Sequence, residues 1–166
     1  MNSKLLSKWY HRNQFYLPEG ISYYDGHLCK IEKILRLTYC KKQDFNLTLA
    51  INIGYLHDII EDTPYTADDL KRYGFIEILP SVIGLSKDKS LKKTDQIEDS
   101  IERIIETRCR ETAVVKLADR LANLTNPRLS WSEDKINYYK NESRFLAERL
   151  GKYNPLLYKE LEKLIN

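Results

Sequence analysis

Residues 54–64 read GYLHDIIEDTP, which places four polar side chains within six positions, directly after an apolar stretch. The spacing predicts a helix that the final proline ends, because proline cannot continue a helix. On that helix His57 and Glu61 lie four residues apart, as do Asp58 and Asp62. Carboxylates at a helix C-terminus are disfavoured by the helix dipole. The pattern therefore indicates that a cation compensates this acidic cluster.

Two residues elsewhere in the chain fit the same interpretation. His27 stands at the start of an apolar stripe that begins at Leu28, and Asp119 lies inside the apolar segment VVKLADRLANL at 114–124. An ionised aspartate on such a helix is costly to bury unless it is paired, and Asn123 follows it by one turn. We therefore predict a metal site, whose mixed nitrogen and oxygen ligands suit manganese, iron, cobalt or zinc with positions left open. The predicted ligands are His27, His57, Asp58 and Asp119.

These residues also allow simpler interpretations, which the spacing alone leaves open. An isolated His27 is more often a hydrogen-bonded core residue than a ligand. Asp119 is equally compatible with an ordinary ion pair to Lys116 or Arg120.

Most of the remaining segments carry apolar residues at helical spacing. We expect a short helix at 66–73 begun by Thr66, one through Ile97–Ile105, one begun by Ser132 and one over 156–165. AVVKLA at 113–118 is strand-like in composition, but its context favours a buried helix. The polar, lysine-rich residues 84–95 are predicted to form a mobile loop. The predicted fold class is all-α, with residues 1–166 forming a single-domain helical bundle.

Composition narrows the class of protein. Apolar residues make up 42% of the chain, and the 27 basic side chains nearly balance the 24 acidic ones. General disorder is therefore not expected, and the nearly balanced charge does not resemble that of a dedicated nucleic-acid binder, so no nucleic-acid partner is expected. Three cysteines without a CxxC pair indicate buried free thiols in a reducing compartment. With no apparent secretory signal or membrane span, we expect a cytoplasmic protein without a membrane partner.

Three motifs, in this order, resemble the hydrolase domain of RelA/SpoT-type guanosine polyphosphate (ppGpp) 3′-pyrophosphohydrolases of the HD type. They are His27, LHDIIEDT at 56–63 and VKLADRLANL at 115–124. The likeness is closest in size to small single-domain members and covers roughly residues 8–150. Within that range HRNQ at 11–14 resembles the family's opening helix, YYDGH at 23–27 its PYIxH motif, and GLSK at 84–87 its Gly-x-Thr-Lys turn.

The resemblance implies an HD-type fold and a role for each matching residue. His27, His57, Asp58 and Asp119 would hold a divalent metal, normally manganese. Glu61 and Asp62 would form the catalytic acidic pair that orients water and moves its proton. A small anionic nucleotide would be the substrate. Its candidate binding residues are Asn123, Lys116, Arg120, Lys87 and the potential base-stacking Tyr24.

The departures from the family concern the substrate more than the chemistry. Where the family carries arginine or lysine before its first histidine, residues 15–19 read FYLPE. Leu28 replaces a common proline, and Ala122 a frequent histidine or tyrosine. The metal ligands are complete, whereas nucleotide recognition is altered.

Several functions follow from these observations. The leading one is a metal-dependent hydrolase of the 3′-pyrophosphate of ppGpp or a related nucleotide. The alternatives are a nucleotidase or phosphatase acting on another phosphoester, and a catalytically idle HD regulatory module. RNA binding through the lysines between 87 and 93 is the weakest alternative, since that segment reads as a solvated loop. The sequence leaves homo-oligomerisation open.

Overall fold

The computed structural model describes residues 2–16, 20–40, 44–125, 127 and 131–166, with only the backbone of Tyr16 and Cys40. The helices are α1 (Ser3–Tyr10), α2 (Cys29–Cys40), α3 (Leu47–Leu56), α4 (Ile59–Asp62), α5 (Ala67–Arg72), α6 (Leu79–Leu85), α7 (Gln96–Glu106), α8 (Arg110–Thr125), α9 (Glu133–Leu150) and α10 (Pro155–Ile165). A π-helical turn at Tyr24–Leu28 and 3₁₀ turns at Ile76–Ile78 and Gly151–Tyr153 complete them. The all-α prediction is confirmed.

Helix α8 lies at the centre of the molecule. It packs against α2, α3, α9 and α10, and α3 in turn packs against α1 and α2. The residues between Thr112 and Arg120 are all buried, so the strand-like run at 113–118 forms a buried helix as predicted. Because α8 is enclosed on all sides, its charged side chains face other groups of the protein or a cleft. Because burying charged groups is costly unless they are paired, the buried charged residues of α8 are candidates for a functional site.

The predicted helix starts are found where their capping residues stand. Thr66 accepts a hydrogen bond from the backbone N–H of Asp69, whose side chain accepts from the backbone N–H of Thr66 in return. Ser132 caps α9 by accepting from the backbone N–H of Lys135. Such caps satisfy amide groups that the first turn of a helix leaves unpaired.

The prediction of one helix through residues 54–63 is wrong. Helix α3 ends at Leu56 and α4 begins at Ile59, so His57 and Asp58 form a turn between them. The imidazole Nδ1 of His57 lies 2.8 Å from the carbonyl oxygen of Gly54, the acceptor that a continuous helix would use for the amide of Asp58. Asp58 accordingly has non-helical dihedral angles, φ −101° and ψ 0°.

Two smaller features also differ from expectation. Gly84 and Leu85 complete α6, so the irregular segment begins at Ser86 rather than at residue 84. Phe15–Tyr16 (β1) pairs antiparallel with Ile21–Ser22 (β2), a short ladder with no strand pattern in the sequence. Among the described helices none is both long and apolar enough to cross a membrane.

Candidate metal centre

His27 reaches the centre of the molecule from the π-helical turn Tyr24–Leu28 that precedes α2. Its side chain is buried, and its Nε2 lies 3.1 Å from Oδ1 of Asp119 on α8. Single π-helical turns are uncommon and occur frequently at functional sites, where they redirect a side chain. Here the turn directs His27 toward α8.

His57 is oriented by the same contact that ends α3. Since the Gly54 carbonyl is an acceptor, Nδ1 of His57 carries the proton and donates it, leaving Nε2 to face the carboxylates. Nε2 lies 2.9 Å from Oδ2 of Asp58 and 3.8 Å from Oδ1 of Asp119. It is buried and makes no hydrogen bond of good geometry within the described residues.

Asp119 joins the two histidines. The ligand atoms of His27, His57 and Asp119 all lie within 4.8 Å of one another. Asp58 approaches this trio through its contact with His57. Asn123, one turn along α8, donates its side-chain N–H to Oδ1 of Asp119 at 2.8 Å. Asp119 therefore faces the histidines, and the alternative ion pairs with its neighbours on α8 are not formed among the described residues.

The charges of this cluster act on one another. Burial alone would lower the pKa of His57, but the Asp58 and Asp119 carboxylates outweigh burial and hold that pKa well above its usual value. Burial would raise the pKa of Asp119, but hydrogen bonding to His27 and His57 keeps it well below its usual value. The pKa of Asp58 is likewise lowered, because His57 outweighs burial. The Asp58 and Asp119 carboxylates are therefore ionised, and their negative charge favours a bound cation.

These residues fit a divalent cation. Two imidazoles and two carboxylates form a donor set that divalent transition metals accept. The buried Nε2 of His57, with its second nitrogen fixed by a backbone carbonyl, has the arrangement typical of metal-ligating histidines.

The predicted acidic pair lies on α4, one turn beyond Asp58. The Glu61 carboxylate accepts the backbone N–H of Lys87 at 2.9 Å, and the Glu61 carbonyl accepts from the Lys89 ammonium at 2.8 Å. The Asp62 carbonyl accepts from the Gln14 side chain at 2.7 Å. These contacts fasten α4 to the segment after α6 and to the turn after α1.

Asp62 has an unusual protonation equilibrium. Partial removal from water, together with the negative charges of Asp58 and Glu61, raises the pKa of Asp62 to about 6. A carboxyl group with such a pKa can exchange a proton near neutral pH, as acid–base catalysis requires.

A cleft of about 390 Å³ opens beside these groups, a size that suits a small ligand. Its lining includes three of the predicted substrate-binding residues, Lys87, Lys116 and Asn123. Lys116 is only 4% exposed, and its ammonium makes no hydrogen bond or ion pair with another described side chain. Burial lowers the pKa of Lys116. A buried ammonium that faces a cleft without a partner is suited to an anionic ligand.

The cleft is also lined by residues of α9 and by Trp131, two positions before that helix, which sequence reasoning missed. We call this surface the α9 wall. It consists of Trp131, Lys135, Tyr138, Tyr139 and Glu142. The ring centroids of Trp131 and Tyr139 lie 4.8 Å apart, and the Lys135 ammonium lies 4.7 Å from the centroid of the Trp131 ring. The spacing of these residues along one helical face was the available signal, since positions three and four apart share a face.

Two predicted substrate-binding residues do not line the cleft. Arg120 is buried behind the α9 wall, where it pairs with Glu142 at 3.2 Å and lies 3.9 Å from the centre of the Tyr139 ring. Tyr24 is buried against Tyr55, with ring centroids 5.7 Å apart. Their direct contact with substrate stays a prediction. The altered stretch at 15–19 falls partly outside the described residues, since 17–19 are not among them.

The helical fold around this centre is similar to that of two solved structures. A solved structure of a metazoan ortholog of SpoT that hydrolyzes ppGpp matches with a TM-score of 0.81 at 22% identity, over 98% of this chain and 90% of that one. A crystal structure from Listeria monocytogenes matches with a TM-score of 0.65 at 22% identity, over 84% of this chain and 92% of that one. The expected HD-type fold is confirmed.

Curated relatives carry more particular names, although no protein-family model matches the chain. The guanosine-3′,5′-bis(diphosphate) 3′-pyrophosphohydrolase MESH1 of Drosophila melanogaster is 26% identical over 93% of this chain and 86% of its own length. MESH1 of Danio rerio is 28% identical over 93% and 85%. The Haemophilus influenzae 3′-pyrophosphohydrolase is 36% identical over 45% of this chain and 12% of its own length. The resemblance inferred from the motifs is confirmed.

Proposed function

We propose that this chain is a divalent-metal-dependent phosphohydrolase that removes the 3′-pyrophosphate of ppGpp or a closely related nucleotide. The observation that carries the proposal is the convergence of the ligand atoms of His27, His57 and Asp119 within 4.8 Å, with Asp58 beside them. Asp58 and Asp119 also line a cleft that is lined by the lysines Lys87 and Lys116. The curated relatives that match most of this chain bear the name of this activity.

The metal would be held by His27, His57, Asp58 and Asp119. We propose manganese because it is among the ions that accept mixed imidazole and carboxylate ligands and is the one that the family resemblance implies. When bound, a divalent ion lowers the pKa of water and polarises a phosphoryl oxygen. The remaining chemistry belongs to side chains of the chain itself.

Glu61 and Asp62 orient the attacking water and accept its proton. Glu61 is fixed by the backbone N–H of Lys87, so its carboxylate has a defined direction at the cleft. Asp62, with a pKa of about 6, holds the proton taken from water and returns it to the 3′-oxygen as the ester bond to phosphorus breaks. The products are pyrophosphate and the nucleoside diphosphate.

Lys116 and Lys87 bind the phosphate oxygens. Lys116 is buried at the cleft and its ammonium pairs with no other described side chain, so a phosphate would relieve the cost of burying its charge. Asn123 holds Asp119 in place through its 2.8 Å hydrogen bond.

A second candidate is hydrolysis of a different nucleotide phosphoester. Its support is the α9 wall, because aromatic rings stack on any base without reading its hydrogen-bonding edge. Phe15, the half-exposed first residue of the altered stretch, adds no positive charge there. We also propose a cytoplasmic location, since Cys29 and Cys109 are free thiols, although they are partly exposed rather than buried as predicted.

The test is incubation of the purified protein with ppGpp and other nucleotides, with manganese, magnesium or zinc, followed by chromatography of the products. We expect pyrophosphate release from ppGpp. Glu61→Gln should lower turnover by roughly 10²–10⁴-fold while metal binding persists, because an amide cannot accept the proton. Glu77→Gln, an exposed change outside the cleft, is the matched control.

The other outcomes discriminate the alternatives. Turnover of a different nucleotide would support the second candidate and keep the chemistry. Metal binding without turnover of any phosphoester would contradict an enzymatic role and support an idle regulatory module.

A further inference from the structure

Tyr23 lies at the junction of the metal centre and the cleft. Its side chain is 5% exposed and contributes to the cleft lining. Its ring packs between two imidazoles, with centroids 4.9 Å from His27 and 5.1 Å from His11. Its hydroxyl donates a hydrogen bond to Oδ2 of Asp58. The two ring contacts thus determine where the hydroxyl points.

This hydrogen bond is a departure from the motif that the sequence resembles. YYDGH at 23–27 stands where that motif reads PYIxH, so Tyr23 takes the place of proline. A proline side chain has no hydrogen-bond donor. The contact to Asp58 is therefore a property of this chain rather than one required by the motif.

The position of the Asp58 carboxylate depends more on hydrogen bonds than that of Asp119 does. It lies in the turn between α3 and α4, whereas Asp119 is fixed on a buried helix. In the structure Asp58 Oδ2 is held by the Tyr23 hydroxyl and lies 2.9 Å from Nε2 of His57. Because Nε2 of His57 would itself bind a metal, the Tyr23 hydroxyl is the donor to the Asp58 carboxylate that remains in the described part of the chain.

We propose that Tyr23 is a positioning residue that presents the Asp58 carboxylate to the metal through the hydrogen bond from its hydroxyl. The proposal rests on the proposed function, since it needs a metal at this centre. Its physical basis is that outer hydrogen bonds fix the direction of a ligand before binding, which reduces the ordering cost when the metal arrives.

The first measurement is manganese affinity by isothermal titration calorimetry. Tyr23→Phe keeps the ring between the two imidazoles and removes only the hydroxyl. We expect it to weaken manganese binding about 10–100-fold, the usual loss for removal of an outer partner of a ligand. Tyr65→Phe is the matched control, because Tyr65 is also buried and its hydroxyl has no hydrogen-bond partner among the described residues. It should bind manganese as the wild type does.

A double-mutant cycle separates positioning from general packing. If Tyr23 acts through Asp58, adding Tyr23→Phe to Asp58→Asn should cause little further loss of affinity, whereas independent effects would add. Circular dichroism of each variant checks that all of them are folded.

Kinetics supply a second readout. At limiting manganese Tyr23→Phe should turn over ppGpp more slowly, and saturating manganese should restore its turnover with KM for ppGpp unchanged. Glu61→Gln should not be restored by manganese.

Two results would overturn the proposal while leaving the proposed function intact: unchanged manganese affinity in Tyr23→Phe, or an equal loss in Tyr65→Phe. A wild-type protein that takes up no manganese would overturn the metal centre itself, and the role of Tyr23 with it. The wild-type titration therefore distinguishes the two failures.

Discussion

The two sides of the cleft are built by different physical means. The acidic wall, formed by Asp58, Glu61, Asp62 and Asp119, is drawn from α4, α8 and the turn before α4. Its groups are held by directed contacts to His27, His57, Tyr23 and Asn123 and to the backbone of Lys87. The α9 wall is formed by one helix and by Trp131, two positions before it, and its rings are held by a tilted aromatic contact and by cation–π contacts.

This difference indicates a division of labour. Hydrogen bonds and ion pairs are directional, so the acidic wall has one arrangement suited to chemistry that tolerates little misplacement. Stacking is tolerant of the partner, so the α9 wall can accept a base without defining it. Changes in the acidic wall should therefore act on turnover, and changes in the α9 wall on substrate affinity.

The largest expected effect is that of His57→Ala. It removes a ligand and leaves the Asp58 and Asp119 carboxylates facing each other without the imidazole between them. We expect manganese binding to be lost in calorimetry and turnover to fall by more than the roughly 10²–10⁴-fold of a single acid–base group. Retained turnover at saturating substrate would show that the residues of the acidic wall do not carry out the hydrolysis.

The next effect is on stability and joins the two walls. Arg120→Met on α8 removes the partner of Glu142, which lies on the α9 wall and is nearly buried. Leaving a buried charge unpaired costs about 3–5 kcal/mol of unfolding free energy, measurable by urea denaturation. The double variant Arg120→Met with Glu142→Leu should recover much of that loss. A surface-like loss below about 1 kcal/mol would mean that Arg120 does not support the wall.

Tyr139→Leu tests recognition by the α9 wall. Loss of one stacked base contact, about 1–3 kcal/mol, predicts a KM for ppGpp raised about 10-fold or more with kcat nearly unchanged. Tyr39→Leu, at an exposed position on α2 outside the cleft, should leave both constants unchanged. A fall in kcat of similar size would contradict the expectation that the α9 wall affects substrate affinity rather than turnover.

The smallest effect concerns the charge of Asp62 in metal-free protein. Its folded-state pKa of about 6 is raised by partial burial and by Asp58 and Glu61, so the folded state holds more protons than the unfolded state between the two pKa values. Stability should therefore fall as pH rises toward 6 and stay lower above it. At about pH 8 Asp62→Asn should raise unfolding free energy by up to about 1 kcal/mol, after allowance for solvent screening, with little gain near pH 4.

Thermal melting in the presence of a chelator would measure this effect. Asp44→Asn, an exposed change outside the cleft, should show no such pH dependence. Equal stability of Asp62→Asn and wild type at both pH values would show that the acidic wall is not under repulsion.

Local sequence signals predicted the fold well where the residues that determine an element lie within that element. Thr66 and Ser132 start helices because their side chains cap the first turn, and the run AVVKLA at 113–118 of α8 is buried because most of its residues are apolar. The break between α3 and α4 was not predictable in this way. It depends on a side-chain contact of His57 to the Gly54 carbonyl, which competes with a helical hydrogen bond of similar strength.

The sequence by itself determined which residues have ligand and acid–base chemistry, because residue type and short spacing are local properties. Only the tertiary structure decided that a π-helical turn, a break between two helices and a buried helix bring His27, His57 and Asp119 within 4.8 Å. It also decided that Tyr23 meets Asp58 and that α9 supplies the other side of the cleft. These contacts join distant parts of the chain, and their positions follow from how the helices pack around α8 rather than from any one segment.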